Sequence, residues 1–285
     1  MFLSYLLIDT AADPSRPRPG RSWVGRPYRV HQRLCMAFPS RERRDRDQEF
    51  LDPFLPADFP TVAKVEKESH GKTHVHHVRD ETTGFLFRID PMPATVPSRH
   101  VITVQSTSNT EPDWDYAFHN APEFLCARPL VRPFNPQYAA GQHLRFRLRA
   151  NPTKKVAAPH AAERLAKPGK REGYTKNGRR LALLREDEQI AWLLHKGETG
   201  GFRIPGEWVA ADDDRRVPNF RVDVIPEGWV RCGKDGYADG RFFAVRFEGV
   251  LHVTDPNEFL RTVADGLGAA KGFGFGLLSV APCRE

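Results

Sequence analysis

Residues 143–150, HLRFRLRA, constrain the fold more than any other stretch, because polar and apolar side chains alternate along them without a break. Successive side chains of a β-strand point to opposite faces. The apolar residues would therefore share one face, and Arg145, Arg147 and Arg149 would share the other. The sequence predicts a strand with a buried side and a cationic side.

The positive charge of the chain is concentrated just after this strand. The whole sequence has a net charge of +7 and a pI of about 9.4. Residues 154–185 contain ten lysines and arginines but only two acids, Glu163 and Glu172, so this segment carries +8 and the rest of the chain −1. A solvated linker rich in Gly, Pro and Ala is one interpretation. Clustering of one sign of charge favours the other, contact with the phosphates of a polyanion.

The remaining patterns alternate between strands and helices. Strands are predicted at 2–9, 84–90, 100–106, 143–150, 242–253 and 275–281, and helices from Pro27, over 186–196 and over 256–267. This order gives two successive βαββαβ units, the first ending with the strand near residue 150. We therefore expect an α+β chain of two tandem ferredoxin-like (RRM-like) domains, residues 1–152 and 153–285. Residues 40–83, with many charges and prolines, are predicted to form a surface insertion in the first domain.

Two of these helices have recognisable end signals. Asp255 suits an N-cap position, with Pro256 at the first helical position and Glu258 three residues after the cap. The helix over 186–196 is predicted to end at Gly197.

Composition argues against several classes of protein. No run approaches the ~20 apolar residues of a membrane span, and MFLSYLLI lacks the basic region and cleavage site of a signal peptide. The four cysteines lie far apart without a CxxC pair, which indicates neither a zinc ribbon nor a disulfide framework. We expect a cytoplasmic protein with reduced thiols and no cofactor.

A tyrosine and a histidine stand three positions apart in RPYRVHQRL, residues 26–34. On the predicted helix, Tyr28 and His31 lie at the border of the apolar stripe, with Cβ atoms about 5–6 Å apart. A histidine titrates near ~6.5, so the pair could cleave RNA without a metal, with the ribose 2′-hydroxyl as nucleophile. Packing against the core explains the same two residues, and the pattern alone leaves both interpretations open.

Other constellations are weaker. GLGAAKGFGFGLLSVAP places five glycines around Lys271, which suits either a phosphate-binding loop or a flexible turn, and it is neither a Walker loop nor a GxGxxG fingerprint. Four histidines, His70, His74, His76 and His77, could bind a metal, but no carboxylate or cysteine completes a known spacing. The acidic run Asp212–Asp214 could bind magnesium, or it could simply be a solvated part of a loop.

Several of these stretches together resemble the CasE family, the CRISPR repeat-processing endoribonucleases of type I-E systems and subunits of Cascade. The resemblance rests on PYRVHQRL, TEPDWDY, GQHLRFRLRANPTKK, FEGVLHVTDP and GAAKGFGFGLLSVAP, and it spans the chain except the 40–83 insertion. It implies two tandem ferredoxin-like domains. It also implies metal-independent cleavage at the base of the repeat hairpin, a 2′,3′-cyclic phosphate end, and retention of the guide RNA within Cascade.

The resemblance also implies roles for particular residues. Tyr28 and His31 match the catalytic tyrosine and histidine of the family. The residues expected to bind RNA by resemblance are Arg145, Arg147, Arg149, Lys154, Lys155, Gly268, Lys271, Gly272, Gly274 and Gly276. Charge alone adds Lys170, Arg171, Arg179 and Arg180 to this set. The expected partners are the CRISPR repeat hairpin, as precursor and guide RNA, and the other Cascade subunits, without a membrane.

Two competing hypotheses place the function in other features of the sequence. A non-catalytic guide-RNA-binding subunit would use the basic surface without cutting. A metal-dependent hydrolase would use the histidine cluster or Asp212–Asp214, and would lose activity to a chelator.

Overall fold

The first half of the chain builds a four-stranded antiparallel sheet. The computed structural model describes residues 1–10, 19–38, 84–92, 99–106, 111–119, 121–156, 179–210, 216–231 and 240–283. The strands are β1 (Phe2–Asp9), β2 (Phe85–Pro91), β3 (Arg99–Ser106) and β4 (Leu130–Pro133). Their order across the sheet is β2-β3-β1-β4. Helices α1 (Pro19–Val24), α2 (Pro27–Cys35) and α3 (Trp114–Phe118) accompany it.

The second half builds another antiparallel sheet. Its strands are β5 (His143–Ala150), β8 (Phe202–Arg203), β11 (Val222–Arg231), β12 (Arg241–Val253) and β13 (Leu278–Pro282). Their order is β11-β12-β5-β13, and β8 pairs with β12. The accompanying helices are α4 (Glu186–Thr199) and α5 (Pro256–Asp265). Two separate ribbons pair β6 (Thr153–Val156) with β7 (Arg179–Ala182), and β9 (Gly206–Ala210) with β10 (Arg216–Phe220).

Each sheet has its own hydrophobic core. Val30 and Leu34 of α2 are fully buried against Leu6 and Ile8 of β1 in the first core. In the second, the apolar face of β5 packs against α4 and α5, and Leu148 is fully buried. The alternation predicted for residues 143–150 is thus confirmed, because the even-numbered side chains point into this core.

Two side chains of the first sheet bond to the second half of the chain. Arg88 of β2 donates from Nη1 to Ser279 Oγ at 2.8 Å, and its Nε is held by Asp90. Gln105 of β3 donates from Nε2 to the carbonyl of Val263 at 2.7 Å. A buried guanidinium and a buried amide need such partners, so these bonds fix the contact between the two halves.

Most of the predicted elements are confirmed, including the N-cap at Asp255, whose carboxylate accepts from the backbone N–H groups of Asn257 and Glu258. The end of α4 was predicted wrongly. This helix continues past Gly197 to Thr199. Gly197 is buried, and an added Cβ would lie 2.6 Å from the carbonyl oxygen of Phe202. Here glycine permits a close approach and does not end the helix.

The placement of β5 also corrects the prediction. A boundary between residues 152 and 153 would assign β5 to the first domain, but β5 pairs with β12 and β13 of the second sheet. The fourth strand of the first sheet is instead β4, which pairs with β1. The 40–83 insertion lies outside the described residues. No helix in the described ranges is long and apolar enough to cross a membrane.

Candidate active site

Helix α2 presents the Tyr–His pair. Pro27 occupies the first turn, where its missing N–H costs no hydrogen bond, and it is buried together with Val30 and Leu34. Tyr28 and His31 are half-buried at the edge of this apolar stripe, as the spacing predicts. Their ring centroids are 6.1 Å apart, so both side chains can reach one small group.

Aromatic rings of the first sheet surround the imidazole. The His31 ring lies 5.2 Å from the ring of Phe85 and 6.1 Å from that of Phe87, centroid to centroid. On the helix itself, Cys35 Sγ lies 3.7 Å from His31 Nε2, within reach of a weak sulfur hydrogen bond. These contacts limit the ring orientations available to His31.

A glycine-rich loop, residues 266–277, joins α5 to β13. The loop is closed by Leu267, whose N–H donates to the Gly276 carbonyl at 2.8 Å, and it is tied to β5 because the Gly276 N–H donates to the Arg149 carbonyl at 2.8 Å. Gly274 has a φ of 80°, in the left-handed region, and an added Cβ there would lie 3.2 Å from the Phe87 ring. Glycine is therefore required at this position by both conformation and space.

The glycine-rich loop closes on the Tyr–His pair. Phe273 places its ring 5.6 Å from the ring of Tyr28, centroid to centroid. A Cβ added to Gly272 would lie 3.7 Å from His31 Nε2. The loop backbone thus runs beside the imidazole at Gly272. Lys271 belongs to the same turn, and Gly274 stands against Phe87, a neighbour of His31.

Gly268 and Gly276, which were also predicted to bind RNA, lie against other groups of the protein. Gly268 has a φ of 84° and stands against Trp192, 3.1 Å from an added Cβ. Gly276, with a φ of 89°, has no room for a Cβ, which would lie 2.7 Å from the carbonyl oxygen of Leu267. Both glycines shape the loop, whereas Gly272 and Lys271 lie on its helix-facing turn, Lys271–Phe273.

The three arginines of β5 differ in their partners. Arg145 is exposed and forms no ion pair with any described residue. Arg147 Nε lies 2.9 Å from Glu248 Oε1, and Arg149 Nε is paired with Glu227. The Arg149 guanidinium also lies over the Phe275 ring, 4.7 Å from its centroid. Two of the three predicted RNA contacts are therefore neutralised within the protein.

The β6–β7 ribbon carries the start and end of the basic segment. Lys155 and Arg180 are exposed and lie directly opposite one another across the two strands. Like charges in this position repel, so an anion would relieve them. Lys154 Nζ, by contrast, lies 2.9 Å from Glu188 Oε1. Arg179 belongs to β7, and Lys170 and Arg171 lie outside the described residues.

A buried arginine on α2 has a structural role. Arg33 donates from Nη1 to the Ala117 carbonyl at 3.0 Å, and burial lowers its pKa to about 10, so it stays charged at neutral pH.

Within the described ranges, no group of three or more His, Cys, Asp or Glu could hold a metal ion. His70, His74, His76, His77 and Asp212–Asp214 lie outside those ranges.

Phe273, Phe85 and Phe87 are site residues that were not predicted from the sequence. The alternation in GFLFRID places Phe85 and Phe87 on one face of a strand and could have indicated a shared aromatic surface. The contact of Phe273 with Tyr28 joins residues 245 positions apart, and no local pattern encodes it.

The fold and the site define a class of basic two-sheet α+β proteins in which a glycine-rich loop of one half closes on a Tyr–His helix of the other. A profile of the family described as "CRISPR associated protein" matches residues 69–282. The CRISPR-associated endoribonuclease Cse3 of Thermus thermophilus is 37% identical over 204 residues, covering 69% of this chain and 79% of the relative. The CRISPR system Cascade subunit CasE of Escherichia coli is 35% identical over 147 residues, covering 51% and 61%.

A solved structure shares the fold. The structure of Thermus thermophilus Cse3 bound to an RNA representing a pre-cleavage complex aligns with a TM-score of 0.60 and 26% identity, covering 99% of this chain and 98% of that one. The chain therefore belongs to the CRISPR-associated protein family, as a protein of the CasE (Cse3) type.

Proposed function

We propose that the protein is a metal-independent endoribonuclease that cleaves CRISPR repeat hairpins in precursor RNA and retains the guide RNA as a Cascade subunit. The Thermus relative is named an endoribonuclease, and the Escherichia relative is named a Cascade subunit. One observation carries the proposal: the glycine-rich loop closes on the Tyr28–His31 pair. This closure supports the proposal because it sets the Gly272 backbone beside the His31 imidazole and the Phe273 ring beside the Tyr28 phenol.

The reaction is an internal transfer within RNA. The ribose 2′-oxygen attacks the adjacent phosphorus as its proton leaves, the bond from phosphorus to the 5′-oxygen breaks, and that oxygen takes up a proton. The upstream product then ends in a 2′,3′-cyclic phosphate, and the downstream product begins with a 5′-hydroxyl. Both proton transfers suit an imidazole at neutral pH.

His31 is the general acid or base of this scheme, a role that contributes roughly 10²–10⁴ in rate. Its ring contacts with Phe85 and Phe87 and the neighbouring Cys35 sulfur hold the imidazole in a restricted orientation. Tyr28, one helical turn away, orients the 2′-hydroxyl or the phosphate. Such positioning holds the reacting atoms close to the geometry of attack.

The glycine-rich loop stabilises charge on the phosphate. Negative charge grows on the phosphate oxygens as the phosphorus becomes five-coordinate, and fixed donors aimed there lower the barrier. Lys271 and the backbone of Gly272 occupy the turn that faces His31. Lys154, an alternative source of this charge, is held by Glu188 at the base of the ribbon.

The basic surfaces hold the hairpin. The deep, narrow groove of an RNA helix is closed to most side chains, so affinity comes mainly from phosphate contacts. Lys155 and Arg180 repel each other across the ribbon and would gain from an intervening phosphate. Arg145 of β5 has no ion-pair partner among the described residues and offers a further charge, while Arg147 and Arg149 must exchange carboxylate partners for phosphates.

We further propose that the two halves are tandem ferredoxin-like domains. A βαββαβ unit has four strands, and both sheets arrange theirs in the same order, 2-3-1-4 when the strands are numbered along the chain. The first sheet is β2-β3-β1-β4 and the second is β11-β12-β5-β13. The connection between β4 and β5, residues 134–142, is then the domain boundary. The cytoplasm, where precursor RNA is made, is the proposed location.

A single-turnover assay in EDTA tests the proposed function. The substrate is the repeat hairpin from the same genome, compared with one carrying a 2′-deoxy nucleotide at the cleaved position. Cleavage at one phosphate, a cyclic phosphate end and an inert deoxy substrate are the expected results. Tight binding without any cleavage would instead support a guide-RNA-binding subunit, and activity restored only by added metal would support a metal-dependent hydrolase.

A further inference from the structure

A cluster of basic side chains lies at the end of the second sheet that is remote from Tyr28 and His31. His143 of β5 stands opposite His252 of β12, and Arg203 of β8 stands opposite His252 on its other side. The two imidazole rings stack with centroids 3.7 Å apart and an interplanar angle of 3°. Arg221, immediately before β11, is the fourth member: its backbone carbonyl accepts from the Val250 N–H, and its charge acts on His252.

Among the described residues, no acid compensates the charge of this cluster. Neither Arg203 nor Arg221 forms an ion pair within the described ranges, unlike Arg147 and Arg149 farther along the same sheet. Burial is the largest cause of a lowered pKa of His252, and the charges of His143, Arg203 and Arg221 lower it further. Two guanidinium groups beside two stacked imidazoles repel each other, so a bound anion would stabilise the arrangement.

A metal ion is a poorer match for the same residues. Paired imidazoles can bind transition metals, but the described residues provide no third His, Cys, Asp or Glu at this place. Two neighbouring guanidinium groups also raise the electrostatic cost of placing a cation there. Their planar forks instead match the oxygens of a phosphate, and neutral imidazoles add N–H donors.

We infer that His143, His252, Arg203 and Arg221 form a phosphate-binding site. Its proposed occupant is an RNA backbone phosphate, because the same face of β12 leads from this site to the glycine-rich loop. Phe242, at the other end of β12, contacts Phe273 of the active-site loop and shares the His252 face of the strand. Ten residues of strand separate Phe242 from His252, or about 33 Å.

The surface between these two points is suited to a nucleic-acid chain. Arg145 of β5 lies on this face between the two ends and has no acidic partner within the described ranges. Arg246 of β12 lies on the same face, but its Nε is 3.4 Å from Glu248 Oε1 and 3.8 Å from Glu227 Oε1, so it would have to exchange these carboxylates for phosphate. An RNA segment leaving the active site could follow this face for several nucleotides. This choice of occupant rests on the proposed function, whereas the phosphate site itself does not.

Titration with inorganic phosphate tests the site directly. The ring resonances of His143 and His252, assigned with His143→Gln and His252→Gln, are followed by NMR in phosphate and in chloride of equal ionic strength. Phosphate should shift both, and the double variant Arg203→Gln/Arg221→Gln should weaken this binding about tenfold or more. Equal shifts in chloride, or shifts with zinc but none with phosphate, would overturn the inference.

RNA binding then identifies the source of the phosphate. Affinities are measured for the repeat hairpin alone and for hairpins extended on the 5′ or 3′ side by about ten nucleotides, a length that single-stranded sites commonly cover. The double variant should lose more affinity for one extended RNA than for the bare hairpin, with His195→Gln and Arg128→Gln as matched controls on other surfaces. If the double variant binds all three RNAs as tightly as the native protein does, and the native protein binds inorganic phosphate, the site is assigned to free phosphate and the RNA part of the inference is overturned. An equal loss for all three RNAs would overturn the path for an extended strand.

The two proposals fail separately in these experiments. If the native protein cleaves no hairpin, the proposed function is wrong, yet the phosphate titration still decides whether this site exists. If cleavage occurs and phosphate shifts neither histidine, only the present inference is overturned.

Discussion

The ring of Phe273 packs against the ring of Tyr28 with centroids 5.6 Å apart, so the glycine-rich loop of one half positions the tyrosine of the other. Phe273→Ala should lower the single-turnover cleavage rate about tenfold or more, because small misplacements of a reacting group are costly. Hairpin affinity should change much less. Phe220→Ala is the control, since Phe220 also sits 5.6 Å from an aromatic ring, that of Trp208, but on the β9–β10 ribbon. Equal effects of both variants on cleavage would mean that the Phe273 contact has no positioning role.

The conformation of Gly274 gives a second prediction. Gly274→Ala and Gly141→Ala both place a side chain at a left-handed backbone, with φ of 80° and 79°, and each should lose roughly 1–2 kcal/mol of stability. Only Gly274 has a neighbour, the Phe87 ring, at 3.2 Å from the added Cβ, whereas nothing lies within 4 Å at Gly141. Denaturant unfolding should therefore show the larger loss for Gly274→Ala. Cleavage at saturating RNA should fall for this variant alone, and equal rates for the two would separate the loop from catalysis.

The salt dependence of binding tests the ribbon. Lys155→Gln and Arg180→Gln should each reduce the magnitude of the slope of log K against log salt by about 1, because each removes one phosphate contact. Arg128→Gln is the control, since Arg128 is also exposed but pairs with Asp115 on the first half of the chain. Slopes unchanged from that of the native protein would place the ribbon away from the RNA.

His100, which lies outside the candidate site, gives a prediction for how the free energy of unfolding depends on pH. Burial lowers the pKa of His100 despite the nearby Asp90 carboxylate, and Thr10 Oγ1 lies 3.0 Å from its Nδ1. The unfolded chain binds this proton more readily than the folded one. The stability that His100 contributes is therefore fully present above about pH 6.5 and is lost as the pH drops below it. Unfolding curves at a series of pH values should show a weaker acid loss in His100→Gln than in the exposed-site control His195→Gln, and parallel curves would contradict this.

Local patterns in the sequence were enough to predict elements whose signals are local. Alternation in residues 143–150 predicted β5, and the Asp255 cap predicted the start of α5. Alternation does not specify which strand lies alongside, so β5 was assigned to the wrong half of the chain. Gly197 carries the usual sign of a helix end, but a close approach to Phe202 explains that glycine instead.

The same distinction applies to the candidate site. The i, i+3 spacing of Tyr28 and His31 follows from helical geometry and was predictable. The loop that closes on them depends on the packing of two halves of the chain, which no spacing encodes. The pairing of Arg147 with Glu248 likewise depends on the register of β12, and for this reason the arginines of β5 could not be ranked from the sequence.

The most direct test of the account compares the native protein with His31→Ala on a labelled repeat hairpin. Cleavage is measured under single-turnover conditions in EDTA, and affinity is measured on the same preparations. The account predicts that His31→Ala lowers the cleavage rate by roughly 10² or more while affinity stays within a few-fold. A parallel loss of binding and cleavage, or cleavage at the native rate, would make His31 a packing residue of α2 and contradict the central claim.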